Sequence, residues 1–194
     1  LIILILQSSL SFSSNIENST NHIKTIVFGA GCFWSVEKKF QDTYGVINVE
    51  SGYADGKKIK PVYKEIIKRE NRFNPDNYAE VVKVTYNSNK TSLENLLKTF
   101  FEMHDPTQEN RQGNDIGVQY RSTILTSSKE EILLSNRVRD KYQNLLSKKG
   151  YGLIKTNIKE LTNFYLAENY HQDYLNKNPN GYCPDYSTGV VFSK

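Results

Sequence analysis

Cysteine, histidine, methionine and tryptophan are all scarce in this chain of 194 residues, at two, three, one and one. Two cysteines are too few for a disulfide-dense secreted scaffold or a four-cysteine zinc site. The histidines stand apart at 22, 104 and 171, so no metal centre is expected. No stretch approaches the ~20 consecutive apolar residues of a membrane span. Charge is nearly balanced, 25 Lys and Arg against 21 Asp and Glu for a net +4, with no long block of one sign. There is no internal repeat and no low-complexity tract. What is present, above all 13 Tyr and 9 Phe, suffices for one core, and the length fits one domain.

The opening Leu-Ile-Ile-Leu-Ile-Leu followed by Ser11-Phe12-Ser13 has the pattern of the end of a secretory signal, an apolar run before small residues. We expect residues 1–22 to be this signal-like segment with a polar linker, and 23–194 to be a single catalytic domain. Compartment stays open between export and cytoplasm. From Thr25 the apolar period alternates between strand and helix. Thr25–Phe28 reads as a strand. Phe33, Val36, Phe40 and Tyr44 form a helical stripe that Gly45 ends. Val46–Val49 and Tyr78–Tyr86 read as strands. Thr91-Ser-Leu-Glu94 and Ser127-Ser-Lys-Glu130 have the form of capping boxes, each opening a helix. Ser122–Thr126 and Leu153–Ile158 complete the strands. This order predicts an α+β fold, a two-layer sandwich with a ferredoxin-like split βαβ core and a long irregular C-terminal tail. Between Asp55 and Asn77 seven cations face few acids; without an aromatic platform the segment reads as a solvated loop rather than a nucleic-acid surface.

Gly29-Ala-Gly31-Cys-Phe-Trp34 joins a strand to a helix. A dinucleotide loop would need a third glycine where Trp34 stands, so that reading fails. Cys32 in the first turn of a helix lies at the positive end of its dipole, which favours thiolate. The alternative is a buried, inert thiol. Alternation along Glu80–Tyr86 puts Glu80 on the side of Val82, Val84 and Tyr86. A carboxyl there is partly desolvated and can hold a proton near neutrality.

These residues resemble one family. Gly-Cys-Phe-Trp-x-x-Glu at 31–37, Gly52-Tyr53, Tyr63, Ala79-Glu80, Arg111–Asp115, Gln119–Ser122, Tyr170-His-Gln172 and Gly181-Tyr-Cys183 are similar, in order, to motifs of peptide methionine sulfoxide reductase A. The resemblance implies a thiol-dependent reduction of methionine-S-sulfoxide, free or in oxidised proteins, to methionine. It makes Cys32 the nucleophile and Phe33 and Trp34 the pocket for the S-methyl group. It makes Glu80 the proton donor, assisted by Tyr63 and Tyr120, with Asp115 in the same polar cluster. Cys183 would be the resolving cysteine. The family's pattern implies no cofactor, a monomer, and thioredoxin or another dithiol as reductant. Three departures stand out. Asn77-Tyr78 replaces a common Gly-His, the interval from Tyr63 to Glu80 is about five residues longer than the family pattern, and no third cysteine follows Cys183. Two other readings compete, a Cys-His hydrolase using His104 or His171 and a non-enzymatic binding domain stapled by a Cys32–Cys183 disulfide. His104, near a helix end, reads as a complement to the helix dipole, and His171 as a structural hydrogen-bonding residue.

Overall fold

A computed structural model describes residues 22–192; the signal-like segment, apart from His22, lies outside them. Among the described residues eight strands form, β1 (Ile23–Gly29), β2 (Val46–Ala54), β3 (Ala79–Asn87), β4 (Arg111–Gln112), β5 (Asp115–Ile116), β6 (Thr123–Thr126), β7 (Asn157–Glu160) and β8 (Phe164–Leu166). The α-helices are α1 (Phe33–Gln41), α2 (Tyr63–Ile66), α3 (Leu93–Glu102), α4 (Lys129–Lys148) and α5 (Tyr174–Lys177). Six strands make one sheet in the order β7-β6-β1-β3-β2-β8, and β4 and β5 form a separate hairpin. All pairings in the large sheet are antiparallel except β6 with β7. The fold is therefore α+β.

Alternation decides which residues meet the helices. Ile26 and Phe28 on β1 and Val82, Val84 and Tyr86 on β3 join the main core with Phe33, Val36 and Phe40 of α1 and Leu96, Leu97 and Phe100 of α3. Phe28 stacks between Phe40 and Phe100, with centroids 4.9 and 5.0 Å away. Val27, Val81 and Leu125 point to the opposite face, where Leu161 and Phe164 pack on them. Lys83 faces that side too; it pairs with Glu50 at 2.8 Å and lies over the Phe164 ring.

Several boundaries differ from the sequence reading. α1 stops at Gln41, and Tyr44 is exposed rather than part of the buried stripe. Both N-caps sit one residue later than expected. Ser92 accepts from the Asn95 amide, while Thr91 is buried and Glu94 reaches Lys98 and Lys141. Ser128 accepts from the Glu131 amide, and Glu131 in return accepts from the Ser127 amide. The cap of α4 thus keeps its reciprocal logic with different partners. The strand expected over Leu153–Ile158 forms at Asn157–Glu160, because pairing parallel to β6 fixes it there. The basic interval is partly structured: α2 and a 3-10 turn at Arg69–Asn71 lie within it, and Ile66 is fully buried.

The final stretch carries one helical turn, α5, and is fastened at both ends. Upstream, Gln41 donates to Asp173 at 2.6 Å and accepts from Asn176 at 2.9 Å. Downstream, Tyr142 donates to the Val190 carbonyl at 2.7 Å and the Phe192 amide to Glu102 at 2.7 Å.

Candidate active site

Cys32 is the N-cap of α1, at the end of the turn that leaves β1. Gly31 holds a positive φ of 95°, and a Cβ there would meet Gln112 at 2.8 Å. Only glycine lets the β4–β5 hairpin come so close to the cysteine loop. The hairpin is itself fixed by Gln112, which accepts from the Asp105 amide and donates to the Asp105 carbonyl. Its other strand delivers Asp115 to the cavity that Cys32 also lines.

Glu80 comes from the second position of β3 and is buried. Its Oε2 accepts from the Phe33 amide at 3.2 Å, one of the orphan donors of the first helical turn. Burial pushes this carboxyl up to about 8; the Phe33 hydrogen bond opposes the shift, and the charge of Asp115 adds to it. Glu80 accordingly holds a proton at neutrality.

Cys32 departs from the thiolate expectation. Burial raises its pKa well above the ordinary value, Glu80 and Asp115 raise it further whenever they are ionised, and the Trp34 and Ser35 amides only partly compensate. The helix terminus contributes as the sequence reading supposed, but desolvation of the sulfur outweighs it. The resting group is a thiol.

The two aromatics after Cys32 diverge. Phe33 is buried against Tyr53 and His171, while Trp34 is half-buried and stacks on Tyr174 at 3.8 Å. The Trp34 indole N–H donates to Nδ1 of His171 at 3.1 Å. This leaves the His171 proton on Nε2, a buried atom without a hydrogen-bond partner. The Tyr63 ring lies edge-on to His171 at 4.5 Å, and its amide donates to Glu168 at 2.9 Å. Glu168 also accepts from Tyr53 at 2.8 Å. Tyr120 is set by its neighbour Arg121, a buried guanidinium that pairs with Asp55 at 3.0 Å and donates to the Val118 and Asn77 carbonyls. Burial raises both phenols, Tyr63 to about 12, and Glu80, Cys32 and Asp115 act on both. Cys32, Glu80, Tyr63, Tyr120 and Asp115 therefore share one electrostatic site, and Phe33 and Trp34 follow Cys32 in the first turn of α1.

Cys183 is exposed and, like Cys32, a free thiol. Its neighbours bring it near the site: Tyr182 donates to both Asp115 oxygens at 3.4 Å, and Pro184 lines the Cys32 cavity. Tyr186 bonds Tyr182 at 2.7 Å and accepts from the Asn114 amide at 3.2 Å. Sequence reasoning missed Glu168, Tyr174, Tyr182 and Tyr186. Tyr182 lies inside the quoted Gly181-Tyr-Cys183 and Glu168 two residues before Tyr170-His-Gln172, so both positions carried a usable signal; Tyr174 and Tyr186 depend on the path of the final stretch.

Histidine chemistry does not serve Cys32. Burial holds His104 down at about 4, so it is neutral and cannot complement the helix dipole as a cation. Its Nδ1 donates to the Phe100 carbonyl at 2.8 Å, which makes Nε2 the acceptor for Ser122. Ser122 then takes its own hydrogen bond from Thr156. His171 Nδ1 is held by Trp34. Neither ring activates a thiol, so the hydrolase reading lacks its base. Among the described residues no cluster of His, Cys, Asp and Glu is suited to a metal ion.

Residues 24–190 match the family described as peptide methionine sulfoxide reductase. The chain belongs to that family. The mitochondrial peptide methionine sulfoxide reductase of Homo sapiens is 48% identical over 164 residues, 84% of this chain and 68% of that protein. Among solved structures, methionine sulfoxide reductase A of Corynebacterium diphtheriae is similar with a TM-score of 0.77 and 38% identity, covering 88% of this chain and 82% of that one. Reduced Mxr1 of Saccharomyces cerevisiae follows at TM-score 0.75 and 33% identity, covering 88% and 93%; Mxr1 has also been solved in complex with Trx2. Membership in the reductase family leaves the hydrolase and the structural staple without support.

Proposed function

We propose that this chain reduces methionine-S-sulfoxide, free or in oxidised proteins, to methionine, using Cys32 as nucleophile and Glu80 as acid. The carrying observation is a buried carboxyl, protonated at neutrality, bonded to the amide of the residue that follows a cysteine at a helix start. Sulfoxide reduction needs that pairing, because expelling unprotonated oxide is prohibitive. The sulfoxide sits with its S-methyl group against Phe33 and Trp34. Its oxygen takes the Glu80 proton while Sγ bonds to the sulfoxide sulfur, with Tyr63 and Tyr120 donating hydrogen bonds and Asp115 completing the polar cluster. The Cys32 proton returns to Glu80. The hydroxyl then passes from the sulfoxide sulfur to Sγ as the Sγ–S bond breaks, which leaves Cys32 as sulfenic acid and releases the thioether as methionine.

Cys183 then condenses with the sulfenic acid, forming the Cys32–Cys183 disulfide and water. Thioredoxin or another dithiol exchanges with that bond and restores both thiols; the Trx2 complex of yeast Mxr1 supports a reductant of that kind. No further cofactor enters this scheme. The test mixes the reduced protein with methionine sulfoxide and counts thiols. Loss of two thiols per methionine formed is expected, and methionine formation without thiol loss would refute the scheme.

The finer architecture is inferred alongside. The order β6-β1-β3-β2, with α1 after β1 and α3 after β3, supports a two-layer, ferredoxin-like split βαβ core. The sparse helix content after Ala167 supports an irregular C-terminal tail. Residues 23–194 are read as one catalytic domain. The signal-like pattern of residues 1–22 favours export, where an exported dithiol would be needed.

A further inference from the structure

The long, basic interval between Asp55 and Asn77 supplies only Tyr63 to the proposed reaction, yet one side of it faces the site. A groove of about 290 Å³ runs between this segment and the β4–β5 hairpin. At its inner end are Tyr63, Tyr120 and Asp115; at its outer end are Ile67, Ile116 and Arg72. The two isoleucines belong to different segments and each exposes about two-fifths of its surface, 43% and 39%. The walls are joined by a backbone hydrogen bond, from the Val118 amide to the Arg72 carbonyl at 2.8 Å, so the groove is built into the fold.

Charge completes the description. Of the interval's cations, Lys57 and Lys58 pair with Asp76 and Lys68 pairs with Glu65. Lys60, Lys64, Arg69 and Arg72 form no ion pair among the described residues. Asp115 is the only acid in the groove; burial favours its protonated form, and Tyr182 donates to it. The outer groove therefore offers apolar contact beside an unpaired guanidinium.

We propose that this groove binds the polypeptide on one side of the oxidised methionine and selects substrates with an acidic residue there. This rests on the reductase reading above and adds substrate class to it. A methionine sulfoxide held at Cys32 leads its own backbone past Tyr63 and Tyr120, and the groove is the path that continues from them. Arg72 reads a carboxylate on that backbone, while Ile67 and Ile116 cover an apolar neighbour. An exposed guanidinium acts mainly through association and is sensitive to salt.

The test measures kcat/KM at low ionic strength for three substrates, with dithiothreitol as reductant. These are acetyl-methionine sulfoxide amide and two acetylated pentapeptides with central methionine sulfoxide, one flanked by aspartates and the other by lysines. The wild-type chain should prefer the acidic peptide by roughly tenfold, and the preference should collapse above ~0.3 M salt. Arg72→Glu should reverse the preference. Because the ratio is taken within one preparation, a partly inactive variant does not distort it. Equal rates on the two peptides, or the same ratio in Arg72→Glu as in the wild-type chain, would overturn the groove assignment while leaving the reductase reading intact. No turnover of any of the three by the wild-type chain would overturn both.

Discussion

The Phe33 amide donates to Glu80 at 3.2 Å, joining the first residue of α1 to the second residue of β3. That bond holds Glu80 beside the helix turn that Cys32 caps. It is made to a carboxyl whose proton affinity has been raised by burial.

Glu80→Gln should slow single-turnover sulfoxide reduction by about 10²–10⁴-fold, the usual contribution of a general acid. In the wild-type chain the active form is the protonated one. The single-turnover rate should be flat in mildly acidic solution and fall as pH rises through about 8. Rapid-quench measurement across pH 6 to 9.5 checks both; a rate that Glu80→Gln leaves unchanged would remove the acid assignment.

The cysteines should separate by stoichiometry. Cys32→Ser is expected to form no methionine. Cys183→Ser should form about one methionine per chain and then stall, with a single added oxygen on Cys32 by mass spectrometry. Sustained turnover of that variant with thioredoxin would take Cys183 out of the scheme.

Trp34 is the chain's single tryptophan, so fluorescence excited beyond the tyrosine absorption band reports on this position alone. Tyr174→Ala removes the ring stacked on the indole at 3.8 Å. Its emission should shift to the red, and KM for methionine sulfoxide should rise because the S-methyl wall loses its backing. An unaltered spectrum and KM would show that Tyr174 does not support that wall.

His104 should shape acid stability. In the unfolded chain it titrates at its ordinary value near 6.5, whereas burial holds it near 4 in the fold. A depressed value means its stabilising contribution is full above 6.5 and is lost as pH falls toward 4, by about 3 kcal/mol. Urea unfolding at pH 7 and pH 4.5 measures this. His104→Asn should be less stable at pH 7 and lose less on acidification; an equal loss in both would place the acid sensitivity elsewhere.

Much of this was legible in residue order. Glu80 was placed on the helix-facing side of β3 by alternation alone, since its side chain must follow Val82 and Val84. The proton affinity of Cys32 was not legible, because the position of a helix start can be read locally while desolvation depends on what packs over it. His104 failed for the same reason: its neighbour across the core is Ser122 on the approach to β6. The cap positions slipped by one because Thr91-Ser92 and Ser127-Ser128 each offer two adjacent hydroxyls, and helix geometry selects the second. β8 is three half-exposed residues whose register comes from β2, so no periodicity marks it.

The strap bearing Cys183 is pinned by Gln41 on one side and by Tyr142 on the other. A thiol tethered on both sides reaches an effective concentration of roughly the millimolar order typical of short tethers. Dissolved monothiols, having no such tether, must compete by abundance alone. In the proposed scheme the sulfenic acid would then be captured internally, and an external dithiol would encounter a finished disulfide instead of a reactive oxygen adduct.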